Sequence, residues 1–423
     1  MKVLVVGGGG REHALCWALR RDREVDELVC APGNVGIGET ARSAQVEPGQ
    51  PSAVRALAER EGADLVVVGP ESPLVAGVAD ELRAAGIRVF GPGADAARIE
   101  GSKAFAKEIM AEAGVPTAAH WSGTDPAEAK AALDGFEAPY VVKADGLAAG
   151  KGVRVCAERG EAEQTIDEAL VTGAFGEAGR RVVIEAHLAG PELSVMGVCD
   201  GRRVVALPPA RDFKRAGDGD TGPNTGGMGA YSPVPGVDAA TVEHVRAHVL
   251  QPVVDVLARR GTPYVGLLYA GLVLTADGPR VLEFNCRFGD PEAQAVLPRL
   301  RSPMAKLLSS AARGRLGDAV ADVDQRACVT VVLASEGYPG KSPKGRAVAG
   351  LEALVARQGV WVFHAGTTKK GGRLVTDGGR ILSVSALGDD LATARSAAYS
   401  AIGRVSVEGA FYRHDIAANA AGA

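Results

Sequence analysis

Aromatic side chains are scarce in this chain, at 4% of residues, which argues against the stacking platforms that hold single-stranded nucleic acids. Positive charge is not in excess either. With 47 Lys+Arg against 51 Asp+Glu the net charge is −4, so there is no basic field for a polyanion, and nucleic acid is not an expected partner. A small anionic ligand needs only a local pocket and stays open. The six cysteines (16, 30, 156, 199, 286, 328) form no C-x-x-C pair and show no disulfide-like spacing, which points to a reduced compartment. No run of about 18 apolar residues occurs, and residues 1–20 lack a basic segment followed by an apolar one, so the expectation is a cytoplasmic protein with no membrane partner. His244 and His248 lie four apart on an expected helix, but Val245 stands where a zinc protease has its glutamate, and a solvated face is the better reading. The sequence shows no internal repeat and no low-complexity tract.

What is plentiful is glycine, and the first of it comes early, in "KVLVVGGGGREHAL" (2–15). Val3 to Val6 are β-branched-rich and apolar on both faces, as in a buried parallel strand, and four glycines then turn the chain into a helix starting near Arg11. Free N–H groups and the helix dipole at such a start suit an anion. The dinucleotide fingerprint is not met: Glu12 stands where the third glycine belongs, and the second strand "ELVCA" runs into "APGN" with no acid for a ribose. A glycine turn that merely packs a helix on a strand is the plain alternative, although it needs one or two glycines and not four.

At 423 residues the chain exceeds the size of a single core, and about three domains are expected. Strands and helices alternate through "DLVVVGPE" (64–71), a helix over 73–86 and "IRVFGP" (87–92), as in an open parallel sheet ending near residue 100. A helix follows over "SKAFAKEIMAEAG", with Ser102 as N-cap and Gly114 at its end. "PYVVKADG" and "GVRVCAE" read as a hairpin around a glycine loop, and residues 180–207 read as paired strands. Residues 208–235, rich in Gly, Pro, Asp and Asn, read as a long structureless stretch of the kind that is functional or mobile. From about 327, strands "CVTVVLAS" and "GVWVFHAG", a hairpin in "RLVTDGGRILSVSAL" and a helix from Asp389 make a small α+β domain.

The chemistry concentrates in the middle. "KADGLAAGKGV" (143–153) is not a P-loop, because three residues separate Gly146 from Gly150 and Gly152 replaces the Ser or Thr after Lys151. A glycine loop between antiparallel strands can still fold over a triphosphate, with Lys143 and Lys103 as point charges; two surface lysines and a hairpin turn are the alternative. "VIEAHLAGPELS" (183–194) carries Glu185 toward a nucleobase edge and Glu192 toward ribose hydroxyls. In "VLEFNCRFGDPE" (281–292), Glu283 and Asn285 share one face of a strand, an oxygen pair of the kind that holds magnesium with phosphate and water; alone, a buried structural pair fits as well.

In this order, Lys103, Lys143 with its glycine loop, "VIEAHLAGPELS" and "LEFN" resemble the ATP-grasp ligases. The whole chain is similar to one family among them, the phosphoribosylamine–glycine ligases or glycinamide ribonucleotide synthetases, through "GGREHAL", "APGN", "VGPESPLVAGV", "GSKAF", "DTGPNTGGMGAYSP", "EFNCRFGDPE" and "GYPG". The resemblance implies an α/β chain with a Rossmann-like N-terminal domain (1–100), an ATP-grasp domain (101–326, with a nucleotide-clasping subdomain at 118–192) and a small α+β C-terminal domain (327–423). It implies that ATP, glycine and 5-phosphoribosylamine give glycinamide ribonucleotide, ADP and phosphate through glycyl phosphate, with Mg2+ or Mn2+, in a cytoplasmic monomer.

By the same resemblance, Glu283 and Asn285 are metal ligands, and Lys103, Lys143, Gly150, Glu185, Ala186, Leu188 and Glu192 bind ATP. Arg287, Lys214 and Asp290 carry the chemistry, Arg287 on the transferred phosphoryl and Asp290 on the glycine ammonium. Gly9, Gly10, Arg11 and Glu12 receive the phosphoribosyl group, and Asp212, Asn224 and Gly226 line the acceptor site. Three departures stand out: Phe213 replaces the histidine of a D-H-K-R block, Ala186 replaces a second glutamate, and Ser342 stands where an aromatic is common. Rival readings are another ATP-grasp enzyme, a nicotinamide oxidoreductase, which lacks its acid near residue 31, and a nucleotide-sensing protein, which has no need of Glu283.

Overall fold

The structure, a computed structural model, describes residues 1–147, 152–354 and 357–421. Its first strand β1 (Lys2–Gly7) has no room for polar side chains: Val3, Leu4, Val5 and Val6 are all fully buried, as expected of a parallel strand covered on both faces. With β2 (Glu27–Pro32), β3 (Arg42–Ser43), β4 (Leu65–Val68) and β5 (Val89–Phe90) it forms a parallel sheet of order β3-β2-β1-β4-β5. Helix α1 (Gly10–Arg20) leaves the glycine run directly. The helix expected over 73–86 is two helices, Glu71–Val75 and Val78–Ala84. They break at Gly77, whose φ of +86° is open to glycine at little cost and interrupts the helical ladder.

Helix Lys103–Ala113 begins and ends where its caps stand: Ser102 Oγ accepts the Phe105 N–H at 3.1 Å, and Gly114 turns left-handed at φ +64°. Next comes a four-stranded sheet of β6 (His120–Gly123), β7 (Tyr140–Ala144), β8 (Val153–Cys156) and β9 (Val182–Ala186), in the order β6-β9-β7-β8. The expected β7/β8 hairpin is present, and the sheet packs its own small core of Leu133, Val142, Ile166 and Ile184. A second sheet, β11-β10-β16-β17, holds β10 (Glu192–Asp200), β11 (Val204–Ala206), β16 (Val265–Thr275) and β17 (Gly278–Asn285). The paired-strand expectation for 180–207 is thus half correct. Strand β10 pairs with β11, but β9 belongs to the other sheet, because residues 187–191 cross between the two instead of turning back.

Residues 208–235 are not structureless. They hold β12 (Arg211–Asp212), β13 (Arg215–Gly217), β14 (Thr221–Asn224) and β15 (Gly229–Ser232), with β13 and β14 paired as a short hairpin. The closing sheet runs β12-β15-β18-β22-β19, with β18 (Ala327–Ala334), β19 (Val360–His364) and β22 (Arg380–Gly388), so it borrows two strands from before residue 327. The hairpin expected in "RLVTDGGRILSVSAL" is also different. Strand β21 (Arg373–Thr376) pairs back onto β20 (Thr367–Lys370) across Gly371 and Gly372, both at positive φ, while β22 joins the large sheet. Asp390 caps the last helix, Leu391–Ile402, accepting the Thr393 N–H at 2.7 Å. All six cysteines are free and buried. Among the described residues no helix is long and apolar enough to cross a membrane.

Candidate active site

A cleft of about 1690 Å³ runs between the two four-stranded sheets and the closing domain. It gathers Arg11, Lys103, Lys143, Glu185, Ala186, Leu188, Glu192, Asp212, Lys214, Asn224, Gly226, Glu283, Asn285, Arg287 and Asp290 on one wall or another. Gly9, Gly10 and Glu12 do not line it, and Gly150 lies outside the described residues.

Strand β17 places the oxygen pair. Glu283 lies opposite Gly271 and Asn285 opposite Tyr269, so period two turns both side chains to the cleft. Burial works against the Glu283 charge, but Lys214, Lys143, Lys103 and Arg287 outweigh it and hold the carboxyl below the usual carboxylate range. The Asn285 Oδ1 accepts from Arg287 Nη2 at 3.2 Å. No cluster of three or more His, Cys, Asp or Glu able to hold a metal exists among the described residues. Two oxygen donors in a cation-rich cleft fit magnesium or manganese completed by phosphate and water, and do not fit a closed structural metal cage.

The lysines arrive from two elements. On helix Lys103–Ala113, Lys103 and Lys107 are one turn apart and share a face. Lys103 Nζ donates to the Gly146 carbonyl at 3.1 Å, at the root of the glycine loop, and burial lowers its pKa while Glu283 opposes. Asp145 ties this root to the helix by accepting from Ser102 Oγ and Ala104 N, both at 3.0 Å. Lys143 Nζ donates to the Leu282 carbonyl at 3.1 Å and stands 2.9 Å from Glu185 Oε1. Lys107 stands 3.2 Å from the same oxygen, and burial pulls its ammonium down to about 8 although Glu185 supports the charge.

Across the cleft Lys214 is ion-paired with Glu192, and its Nζ lies 3.9 Å from Asp212 Oδ1. Burial pushes the Asp212 carboxyl up to about 8; Lys214 opposes, while Glu292, Glu192 and Glu283 add to the rise. Asp212 Oδ1 has no hydrogen-bond partner among the described residues. Phe213 packs on Tyr231 and lies under the Arg413 guanidinium at 4.9 Å. Arg413 in turn pairs with Asp220 at 2.7 Å and Asp415 at 2.6 Å, pinning the loop between β13 and β14.

The far end of the cleft is a network of guanidinium and carboxylate groups from three parts of the chain. Arg287 reaches Glu100 at 3.2 Å and Glu71 at 3.4 Å, and Arg11 reaches Glu71 at 3.9 Å. Glu100 also accepts the Cys286 N–H at 2.7 Å. Asp290 is held by Arg380 at 3.2 Å and by Gln294 Nε2 at 2.6 Å. Burial works against its charge, but Arg380 and Arg11 keep its carboxyl below the usual range. Arg380 also donates to the Gly226 carbonyl at 2.9 Å, while the Gly226 N–H donates to Tyr338 Oη at 2.9 Å. Sequence reasoning missed Glu71, Glu100, Lys107, Tyr338 and Arg380. For Lys107 one local signal existed, its i,i+4 spacing from Lys103.

The glycine run serves Glu12 first. A Cβ on Gly7 would lie 2.6 Å from Glu12 Cγ, and one on Gly69 would lie 2.3 Å from Glu12 Oε1, so the carboxylate occupies space that only glycines leave. It accepts the Gly9 N–H at 2.6 Å and Arg11 Nε–H at 2.7 Å. The helix start is therefore partly filled by the protein's own anion, and Arg11 is the member of the run that reaches the cleft.

Residues 1–100, 101–293 and 328–419 match the N domain, the ATP-grasp (A) domain and the C domain of phosphoribosylglycinamide synthetase. The chain is 56% identical to a phosphoribosylamine–glycine ligase of Streptomyces coelicolor over 100% of both chains. It is 49% identical to one from Rhizobium meliloti over 98% of each. The crystal structure of the Thermotoga maritima phosphoribosylamine–glycine ligase superposes with a TM-score of 0.86 at 33% identity, covering 98% of this chain and 100% of that one. A biotin carboxylase from Campylobacter jejuni, at 14% identity with 99% of this chain and 98% of that one covered, shares the fold alone, with a TM-score of 0.72. Shared domains, order and length leave one conclusion, that the chain belongs to the phosphoribosylglycinamide synthetase family.

Proposed function

We propose that the cleft joins glycine to 5-phosphoribosylamine with conversion of ATP to ADP and phosphate, giving glycinamide ribonucleotide for purine biosynthesis. One observation carries the reading most: four cations, Lys103, Lys143, Lys214 and Arg287, surround the Glu283 carboxylate in a cleft that extends to Arg11 of the N-terminal sheet domain. Such a site neutralises a triphosphate at one end and admits a sugar phosphate at the other. The division into units 1–100, 101–326 and 327–423 belongs to the same proposal.

The purine lies along Glu185, Ala186 and Leu188, with its ribose hydroxyls on Glu192. Lys103, Lys143 and the loop containing Gly150 bind the phosphates. Magnesium or manganese, held by Glu283 and Asn285, supplies charge neutralisation at the phosphate oxygens when bound. Glycine is held by its ammonium on Asp290, and its carboxylate takes the γ-phosphoryl to give glycyl phosphate; Arg287 and Lys214 stabilise the charge on the transferred group. The amine of phosphoribosylamine then forms the amide bond and displaces phosphate. Arg11 holds its phosphoribosyl part from the cleft wall, with Gly9, Gly10 and Glu12 forming the helix start that carries Arg11. Asp212, Asn224 and Gly226 wall the acceptor side and exclude water from an intermediate that water would hydrolyse. A cytoplasmic monomer belongs to the same reading, supported by six cysteines with no disulfide-like spacing.

Phosphate release from ATP tests the reading. It is expected to need glycine and freshly formed phosphoribosylamine together, with little release from either alone. Release driven by formate or bicarbonate without glycine would overturn it.

A further inference from the structure

Lys107 has no part in the scheme above, yet it is among the most deeply placed cations of the cleft, with 3% of its side chain exposed. It sits four residues beyond Lys103, about 6 Å further along the helix axis, beside Glu185 of β9. Its ammonium is anchored: Nζ donates to Thr117 Oγ1 at 2.8 Å, and Thr117 Oγ1 donates to the Val281 carbonyl at 2.6 Å. Its charge partner is Glu185 Oε1, which the Lys143 ammonium also faces at 2.9 Å.

Glu185 has two cations beside it, Lys143 and Lys107, and His120 lies opposite it on β6. Lys143 is shared, since a triphosphate at Glu283 draws it toward the phosphates. Lys107 is not shared, because Thr117 holds it in place. We infer that Lys107 is a positioning residue that sets nucleotide specificity, holding the Glu185 carboxyl in place in front of the purine. This rests on the reading of Glu185 as the base-edge residue.

A carboxylate can only accept, whereas a carboxylic acid can also donate. The 6-amino group of adenine offers a donor to the Glu185 carboxyl. The 6-oxo group of guanine sets acceptor against acceptor in a buried place, where neither is satisfied. Without Lys107, the Glu185 carboxyl loses the one partner that Thr117 holds in place, and its orientation toward the base edge is no longer fixed.

The test compares kcat/KM for ATP and for GTP in Lys107→Met and Lys107→Arg, with binding of ADP and GDP alone and a melting curve for each variant. In Lys107→Met the ATP-to-GTP ratio should fall by about tenfold or more, chiefly through KM for ATP, with kcat within about threefold. Lys107→Arg should retain more of the ratio. An equal loss of affinity for both nucleotides would overturn the inference, since it would make Lys107 only another cation near the phosphates. If Lys107→Met does not fold, Thr117→Val, which releases the ammonium at nearly constant volume, carries the same test, and an unchanged ratio there also overturns it. Glu185→Gln separates this inference from the reading beneath it. A ratio that Gln leaves untouched removes Glu185 from the base edge and both ideas fail; a ratio moved by Glu185→Gln and not by Lys107→Met defeats the role of Lys107 alone.

Discussion

The backbone N–H of His364 donates to His13 Nδ1 at 2.8 Å, joining α1 of the N-terminal sheet domain to β19 of the closing sheet. An accepting Nδ1 fixes His13 as the neutral Nε2–H tautomer. Burial lowers His13 to about 3, with His364 adding, and lowers His364 to about 4. Both folded-state values lie below the unfolded value near 6.5, so the unfolded chain binds more protons. Stability from this junction is complete above pH 6.5 and is lost as the pH falls from there toward 3 to 4, at roughly 1.4 kcal/mol per pH unit for each histidine. The melting temperature should therefore drop steeply between pH 6.5 and 5, and less steeply in His13→Gln. Equal slopes for the two proteins would disprove the assignment.

Glu283→Gln is expected to leave the fold intact and lower kcat by about a thousandfold or more, because the phosphate charge loses its main anchor for a divalent ion. Circular dichroism and turnover across a magnesium titration check this. Near-normal turnover at saturating magnesium would remove Glu283 from the metal site.

Glu192 shares its carboxylate with Lys214, and its side chain is 43% exposed, so it has room for ribose hydroxyls. Glu192→Ala should raise KM for ATP about tenfold with kcat within about threefold, as expected for a contact made equally in ground and transition states. A collapsed kcat with unchanged KM would move Glu192 into phosphoryl transfer, acting through Lys214.

How much of this was legible in the sequence follows the range of each interaction. Ser102 and Gly114 delimit a helix because caps act over three or four residues, and Glu283 and Asn285 share a face because strand period is local. The break at Gly77 was missed because apolar spacing continued across it. The pairing of β21 with β20 was missed because "TDGG" reads as the turn of a hairpin, whereas packing draws β22 onto the large sheet and leaves β21 to β20. Glu71 was invisible for a different reason. Its partner Arg287 lies 216 residues away, and no local pattern carries such a contact. Phe213 stood out only as a departure from a D-H-K-R block, while its packing under Arg413 is a tertiary fact.

The opening glycines give the sharpest test of the acceptor site. Gly9 has φ −89° and ψ −170°, an extended conformation open to any residue, so a substitution there acts through space and not through backbone strain. A Cβ at Gly9 would lie 2.8 Å from Glu12 Oε2 and 3.7 Å from Asp290 Oδ2. Gly9→Val should thus displace the Glu12 carboxylate from the Gly9 N–H and disturb its pairing with Arg11, on the phosphoribosylamine side of the cleft, while its smaller approach to Asp290 touches the glycine side. The concentration of phosphoribosylamine needed for half-maximal rate should rise by about tenfold or more, since each lost charge-assisted contact is worth roughly 1.5 kcal/mol or more. ADP binding, measured by calorimetry without acceptor, should stay within about twofold, because Lys103, Lys143, Glu185 and Glu192 lie on other elements, and a melting curve should confirm that the sheet domain remains folded. If ADP binding weakens in step with acceptor use while the fold persists, the glycine run serves the nucleotide and the phosphoribosyl site must be sought elsewhere in the cleft.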